Sequence, residues 1–252
     1  MTKLLITAGC SFSQPPNSWT QVLSEITGIK TLFLGHPAGS NGIISKKTIY
    51  NTVESLKTYR PHELLVGIMW SGANRSEFYS QDQVEPYGFQ FHNPLTIVRD
   101  KNYYLLNTHW DSEYCDIHYK KFYNIVGSVI KTIEHILNVQ WFLKSQNIPY
   151  FMTEYFKDVF ERDYTMFYNG SYIKVVDHPD VKYLYDLIDF SHWIDSEDCQ
   201  TWVTKYSNLP FPKPNDVHPS YEQHKIYTEQ VIIPFLKRKN LWQQKNPNPN
   251  PL

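Results

Sequence analysis

The sequence predicts an α/β protein, a mostly parallel sheet with helices on both faces in a three-layer α/β/α arrangement. Three observations predict it. Three short apolar runs, at residues 3–8, 31–34 and 64–70, each end in a small-residue loop followed by helix-like spacing, as in parallel βα units. The three alanines of the chain, Ala8, Ala38 and Ala73, each stand beside a glycine in one of those loops. With 252 residues, 41% apolar, 16% aromatic and 19% charged, the chain can bury a sizeable core.

Taken in order, residues 3–8 form a strand closed by Gly9, and Trp19, Val22 and Ile26 then recur at helical spacing over 18–26. Residues 31–34 repeat the strand signal. GHPAGSNG is the loop after it, and 43–59 form a helix stopped near Pro61, because the residue before proline is pushed out of helical geometry. The third strand, 64–70, ends in SGANR. From 75 to 114 the pattern breaks into aromatic and polar residues and reads as an insertion, with 96–98 and 103–106 flanking Asp100-Lys101-Asn102 like a hairpin. A helical period returns over 115–146, with Val126, Val129, Ile130, Ile133 and Leu137 on one stripe, and 149–155 reads as a fourth strand. Residues 156–202 hold at least one helix, near 181–194, and the last helix runs over 220–239. The expectation is one domain over 1–240, with 241–252 a disordered tail whose Asn-Pro steps suit neither a helix nor an inner strand.

Charge and motifs exclude several functions. Lys and Arg number 24 against 25 Asp and Glu, for a net charge of −1, so the basic field of a nucleic-acid binder is missing. Cys10, Cys115 and Cys199 match neither a disulfide framework nor a zinc pattern. No apolar run reaches the about 18 residues of a membrane span, and the first residues read as a strand. A cytoplasmic protein, of a host cell if viral, or a virion component is expected. GxxxxGK[ST] and GxGxxG are absent, and no two histidines stand four apart, so neither a cofactor nor a metal is expected.

In an open parallel sheet, ligands bind outside the carboxyl ends of the strands, where the small-residue loops fall. There lie Ser11 in GCSFS, Gly39 in PAGSNG and Asn74 in SGANR, with His218 in NDVHPS near the other end of the chain. A serine hydroxyl is a poor nucleophile unless a base lies within hydrogen-bond reach, and neutral imidazole suits that role near neutral pH. An oxyanion formed by its attack needs preorganised donors. Taken singly, Ser11 is a turn serine, Gly39 and Asn74 are loop residues, and His218-Pro219-Ser220 is a helix entry. His224 is expected to face solvent or pack on the last helix, and Asp177-His178-Pro179-Asp180 to cap one.

Together the four blocks, in this order, resemble the SGNH hydrolase family of GDSL-type esterases and lipases, whose sheet is flavodoxin-like. The resemblance implies Ser11 as nucleophile, His218 as base, and an oxyanion hole made of the Ser11 and Gly39 backbone N–H groups and the Asn74 amide. Two positions depart from the family. Cys10 stands where the family has Asp, at a position outside the triad. The family's acid lies three residues before the histidine, where this chain has Asn215; an amide cannot stabilise imidazolium as a carboxylate does, and in the serine-protease template that change costs about 10⁴ in kcat. Asp216 is the substitute, since residues two apart in an extended segment share a side. The expected catalytic set is therefore Ser11 and His218 with Asp216 or Asn215.

The resemblance implies an ester hydrolase that removes a small acyl group from a carbohydrate or similar alcohol. The competing expectation is an inactive SGNH-like structural or binding protein, for example in a phage virion, since an Ala-poor, Asn-, Tyr- and Ile-rich composition points to an AT-rich genome. The insertion, with Phe78, Tyr79, Tyr87, Phe89, Tyr103 and Trp110, serves as a wall over the site or as a contact surface for a second copy or a virion.

Overall fold

A short, nearly continuous apolar run suits an inner strand of a parallel sheet, and Leu4–Gly9 (β1) is buried from end to end. The computed structural model describes residues 2–79, 103–108, 113–213 and 217–242. After β1 a 3-10 turn, Ser11–Ser13, leads to α1 (Trp19–Thr27), which is capped by Ser18 and ended by left-handed Gly28. Then come β2 (Lys30–Phe33), α2 (Asn41–Leu56) and β3 (Leu64–Trp70), the last again fully buried. β4 (Ser76–Tyr79) and β5 (Tyr103–Leu106) pair antiparallel as a separate ribbon. α3 (Glu113–Ile117) passes into a π-helical turn, His118–Phe122, and α4 (Ile125–Ser145) restarts at an Asn124 cap.

β6 (Tyr150–Glu154) completes a four-stranded parallel sheet of order β2-β1-β3-β6. A second ribbon follows, β7 (Thr165–Tyr168) with β8 (Ser171–Lys174), then α5 (Pro179–Tyr185) and α6 (Cys199–Tyr206). The chain ends in α7 (Tyr221–Tyr227), a π turn at Thr228–Ile232, and α8 (Ile233–Arg238). The helices form two packed groups, α2 with α4 and α5, and α1 with α6 and α7, one on either face of the sheet. This is the α/β fold, with a mostly parallel sheet between helical layers, that the sequence predicts. Among the described residues no helix is long and apolar enough to cross a membrane.

Several boundaries differ from the sequence reading. The single helix expected over 115–146 is two, separated at Tyr123 and Asn124. The helix expected near 181–194 ends at Tyr185; beyond it Trp193 bridges Met152 in parallel and Ile194 N–H donates to the Met152 carbonyl at 2.9 Å, a rudimentary fifth strand position beside β6. The β7–β8 ribbon was unforeseen. The described partner of β5 is β4, while the 96–98 half of the expected hairpin lies outside the described residues, as does most of the insertion (80–102 and 109–112). Leu241 and Trp242, placed in the expected tail, instead pack on and in the core; residues 243–252 lie outside the described residues.

Candidate active site

Ser11 follows directly on β1, where Cys10 is extended and the chain turns sharply into the 3-10 segment. Its Oγ lies 2.8 Å from His218 Nε2, across 207 positions of sequence. His218 is held by what comes after it. Ser220 and Gln223 form a reciprocal capping box at the start of α7, Ser220 Oγ accepting from Gln223 N–H at 3.2 Å and Gln223 Oε1 from Ser220 N–H at 2.9 Å. The buried Gln223 amide also donates to Ser207 Oγ and to the Leu209 carbonyl, so the turn carrying His218 is tied to the end of α6. The Phe12 ring packs against His218 at a centroid distance of 5.2 Å. Asn215 and Asp216, the two expected partners of His218, lie outside the described residues.

The second loop packs on the first, since His36 N–H donates to the Gly9 carbonyl at 2.9 Å. Pro37 and Ala38 form a turn with Ala38 at φ 55°, closed by Gly39 N–H donating to the His36 carbonyl at 2.9 Å. The N–H expected to face an oxyanion is thus engaged by its own turn, and only a bifurcated bond would let it serve both.

The third loop is held from three sides. Ala73 N–H donates to the Asp158 carbonyl at 3.1 Å, Arg75 N–H to the Gly72 carbonyl at 3.2 Å, and the Tyr119 hydroxyl to the Asn74 carbonyl at 2.6 Å. The Asn74 Nδ2 donates weakly to Thr108 Oγ1 at 3.4 Å, and its buried Oδ1 has no partner among the described residues. A Cβ at Gly72 would stand 2.6 Å from both Asn74 Oδ1 and Asp158 Oδ2, so a side chain there would have to displace them.

Beneath these loops lies a polar cluster that sequence reasoning missed. The Arg75 guanidinium lies near the buried Cys10 and 5.0 Å above the Tyr155 ring, and Tyr155 donates its hydroxyl proton to Asp158 Oδ2 at 2.9 Å. Burial works against the Arg75 charge, yet Cys10, Tyr155 and Asp158 hold its pKa above the ordinary value. Burial pushes the Asp158 carboxyl up, opposed by Tyr155 and Arg75. Cys10, directly before Ser11, thus lies beside an arginine, and the Asp158 carboxyl after β6 completes the cluster. The signal was a charged residue just beyond the end of a buried strand, in EYFKDVF.

His224 does not face solvent. It is 1% exposed, its ring meets Phe12 edge-on, and burial, then the neighbouring His218, push its pKa down to about 3. It therefore stays neutral, and His218 is the histidine within reach of Ser11. His178 caps α5, its Nδ1 accepting from Asp180 N–H at 3.3 Å.

This geometry can be set beside known proteins. The chain is similar to a protein described as a "putative lipolytic protein of G-D-S-L family" from Desulfitobacterium hafniense DCB-2, at 13% identity and a TM-score of 0.44, covering 94% of this chain and 99% of that one. It is also similar to a member of the lipolytic G-D-S-L family from Veillonella parvula DSM 2008, at 10% identity and a TM-score of 0.43, covering 90% of this chain and 94% of that one. Both are bacterial, and they lend the expected phage origin no support. No curated protein is significantly similar to the chain. The model of a family described as "Family of unknown function (DUF6071)" matches residues 8–250, and the chain belongs to that family.

Proposed function

We propose that this chain is a serine acyl hydrolase of SGNH type that cleaves small acyl esters of a carbohydrate or similar alcohol through a covalent acyl-enzyme. The observation that carries the reading is the 2.8 Å contact between Ser11 Oγ and His218 Nε2. Neutral His218 takes the Ser11 proton as Oγ attacks the ester carbonyl carbon. The tetrahedral oxyanion is met by the Ser11 N–H and the Asn74 amide, which turns from its long bond to Thr108, with the Gly39 N–H shared from its turn. Collapse breaks the bond to the alcohol, whose oxygen leaves with the proton held on His218. Water, deprotonated by the same imidazole, then attacks the acyl carbon and releases the acid and Ser11. Asp216 is assigned to orient His218, with Asn215 as the competing partner.

A second reading, an SGNH-shaped binding protein without turnover, draws on one observation: the Gly39 N–H and the Asn74 amide are both engaged internally. One experiment separates the two. The purified chain should hydrolyse p-nitrophenyl acetate and take a fluorophosphonate label at Ser11, and Ser11→Ala should lower the rate by about 10³-fold or more. Asp216→Asn should lower kcat steeply and Asn215→Ala only slightly; the reverse order would move the acid's role to position 215. No label at Ser11 and no turnover would favour the binding protein.

A further inference from the structure

Asn41 is the first residue of α2, two positions after Gly39, and is 2% exposed. Its amide is spent mostly on the backbone of Ser71 in another loop. Oδ1 accepts from Ser71 N–H at 2.8 Å, Nδ2 donates to the Ser71 carbonyl at 2.8 Å, and the second Nδ2 proton goes to Thr132 Oγ1 on α4 at 3.1 Å. The reason lies in the sheet. β1 pairs with β3 only as far as Gly9 opposite Met69, so Ser71 projects two residues beyond its neighbour into a place where it is 0% exposed. A buried N–H and C=O left there without water or strand would be unsatisfied. The Asn41 side chain supplies the pair that a strand would have supplied, and Thr132 fixes which end of the amide faces which group.

We propose that Asn41 is a positioning residue for the hydrolytic site: it sets where the exit of β3 stands against α2, and so where Asn74, three residues after Ser71, presents its amide to the nucleophile. This rests on the hydrolase reading above. Asn74 has no strong bond holding its own side chain, so its placement depends on how firmly its loop begins.

The test uses the full chain and p-nitrophenyl acetate at varied concentration. Asn41→Asp keeps the size and the acceptor for Ser71 N–H but removes both donors, setting a carboxylate oxygen against the Ser71 carbonyl. Its kcat should fall about 10- to 100-fold with KM changed less than about twofold, the cost of a misplaced rather than missing donor. In an Asn74→Ala background the same change should cost less than about threefold, because a donor already removed cannot be misplaced. Thr132→Val removes one bond and should lower kcat about two- to fivefold. A folded Asn41→Asp with unchanged kcat, or losses that multiply in the double variant, would overturn the proposal. If circular dichroism shows Asn41→Asp unfolded, Thr132→Val decides, and an unchanged kcat there overturns it too. A wild type with turnover but an indifferent Asn41 removes the positioning role alone; a wild type with neither turnover nor a Ser11 label removes the hydrolase reading and this role together.

Discussion

Acid should weaken this fold through His224. In the unfolded chain the imidazole titrates at the ordinary 6.5; in the folded chain burial holds it at about 3. Between those values unfolding takes up a proton, so stability is fully present above about 6.5 and is lost as pH falls toward about 3. At about 1.4 kcal/mol per pH unit, bringing the protein from pH 7.5 to pH 4 removes about 3 kcal/mol, a large part of the about 5–15 kcal/mol that holds a typical domain together. Glu154 pulls the opposite way in the same window, so the readout is a difference. Urea midpoints of the wild type and of His224→Leu, taken at pH 7.5 and pH 4, should show the variant retaining about 3 kcal/mol more of its stability on acidification. At pH 7.5 the two should agree within about 1.5 kcal/mol, since Leu fills a similar volume and His224 Nδ1 has no partner to lose among the described residues. If both proteins lose stability in parallel on acidification, His224 is not held neutral by burial and the reasoning fails.

Glu154 gives the alkaline counterpart. Burial, against the pairing with Arg162 at 2.8 Å, raises its carboxyl from 4.5 to about 7. The folded chain therefore keeps a proton that the unfolded chain releases, and up to about 3 kcal/mol of stability is lost as pH rises from 4.5 through about 7. Glu154→Gln should flatten that limb in a thermal melt run from pH 5 to pH 8; an unchanged slope would place the loss elsewhere. Gly72→Ala should push a methyl into Asn74 Oδ1 and Asp158 Oδ2, both 2.6 Å from the new carbon. A stability loss of about 1–3 kcal/mol with a kcat drop of about tenfold or more is expected, and full activity would show that the loop gives way without moving the amide.

The fold was legible where burial speaks through residue type alone. β1 and β3 are almost wholly apolar and buried from end to end, as inner parallel strands are, and β6 at the sheet's edge is buried along its length too. One surface hairpin was legible too but went unread: TMFY and SYIK flank Asn169-Gly170, whose φ values of 47° and 89° are those of the tight turn that Asn-Gly favours. The break at residues 118–124 was not legible, because the apolar stripe of α4 and the aromatic residues before it read as one helix until His118 and Tyr119 are seen turned toward Ser76 and Asn74. Helix propensity carries no information about such a tertiary demand.

The candidate site divides along the same line. Ser11 and His218 could be singled out because they stand at distinctive places, the end of a first strand and the entry to a last helix. What holds the loops around them could not. Asn41, Gln223 and Asp158 are ordinary polar residues whose partners lie 30 positions away in one case and in backbone atoms in another, and a backbone N–H leaves no trace in a sequence. The Gly39 turn shows the consequence most plainly. PAGSNG announces a glycine, yet whether its N–H points at a substrate or closes its own turn depends on Ala38 adopting φ 55°. Motif order can therefore single out Ser11 and His218, while the readiness of the proposed oxyanion donors is decided by backbone geometry that only coordinates reveal. On the hydrolase reading, the rate should depend on how easily that one turn shares its hydrogen bond.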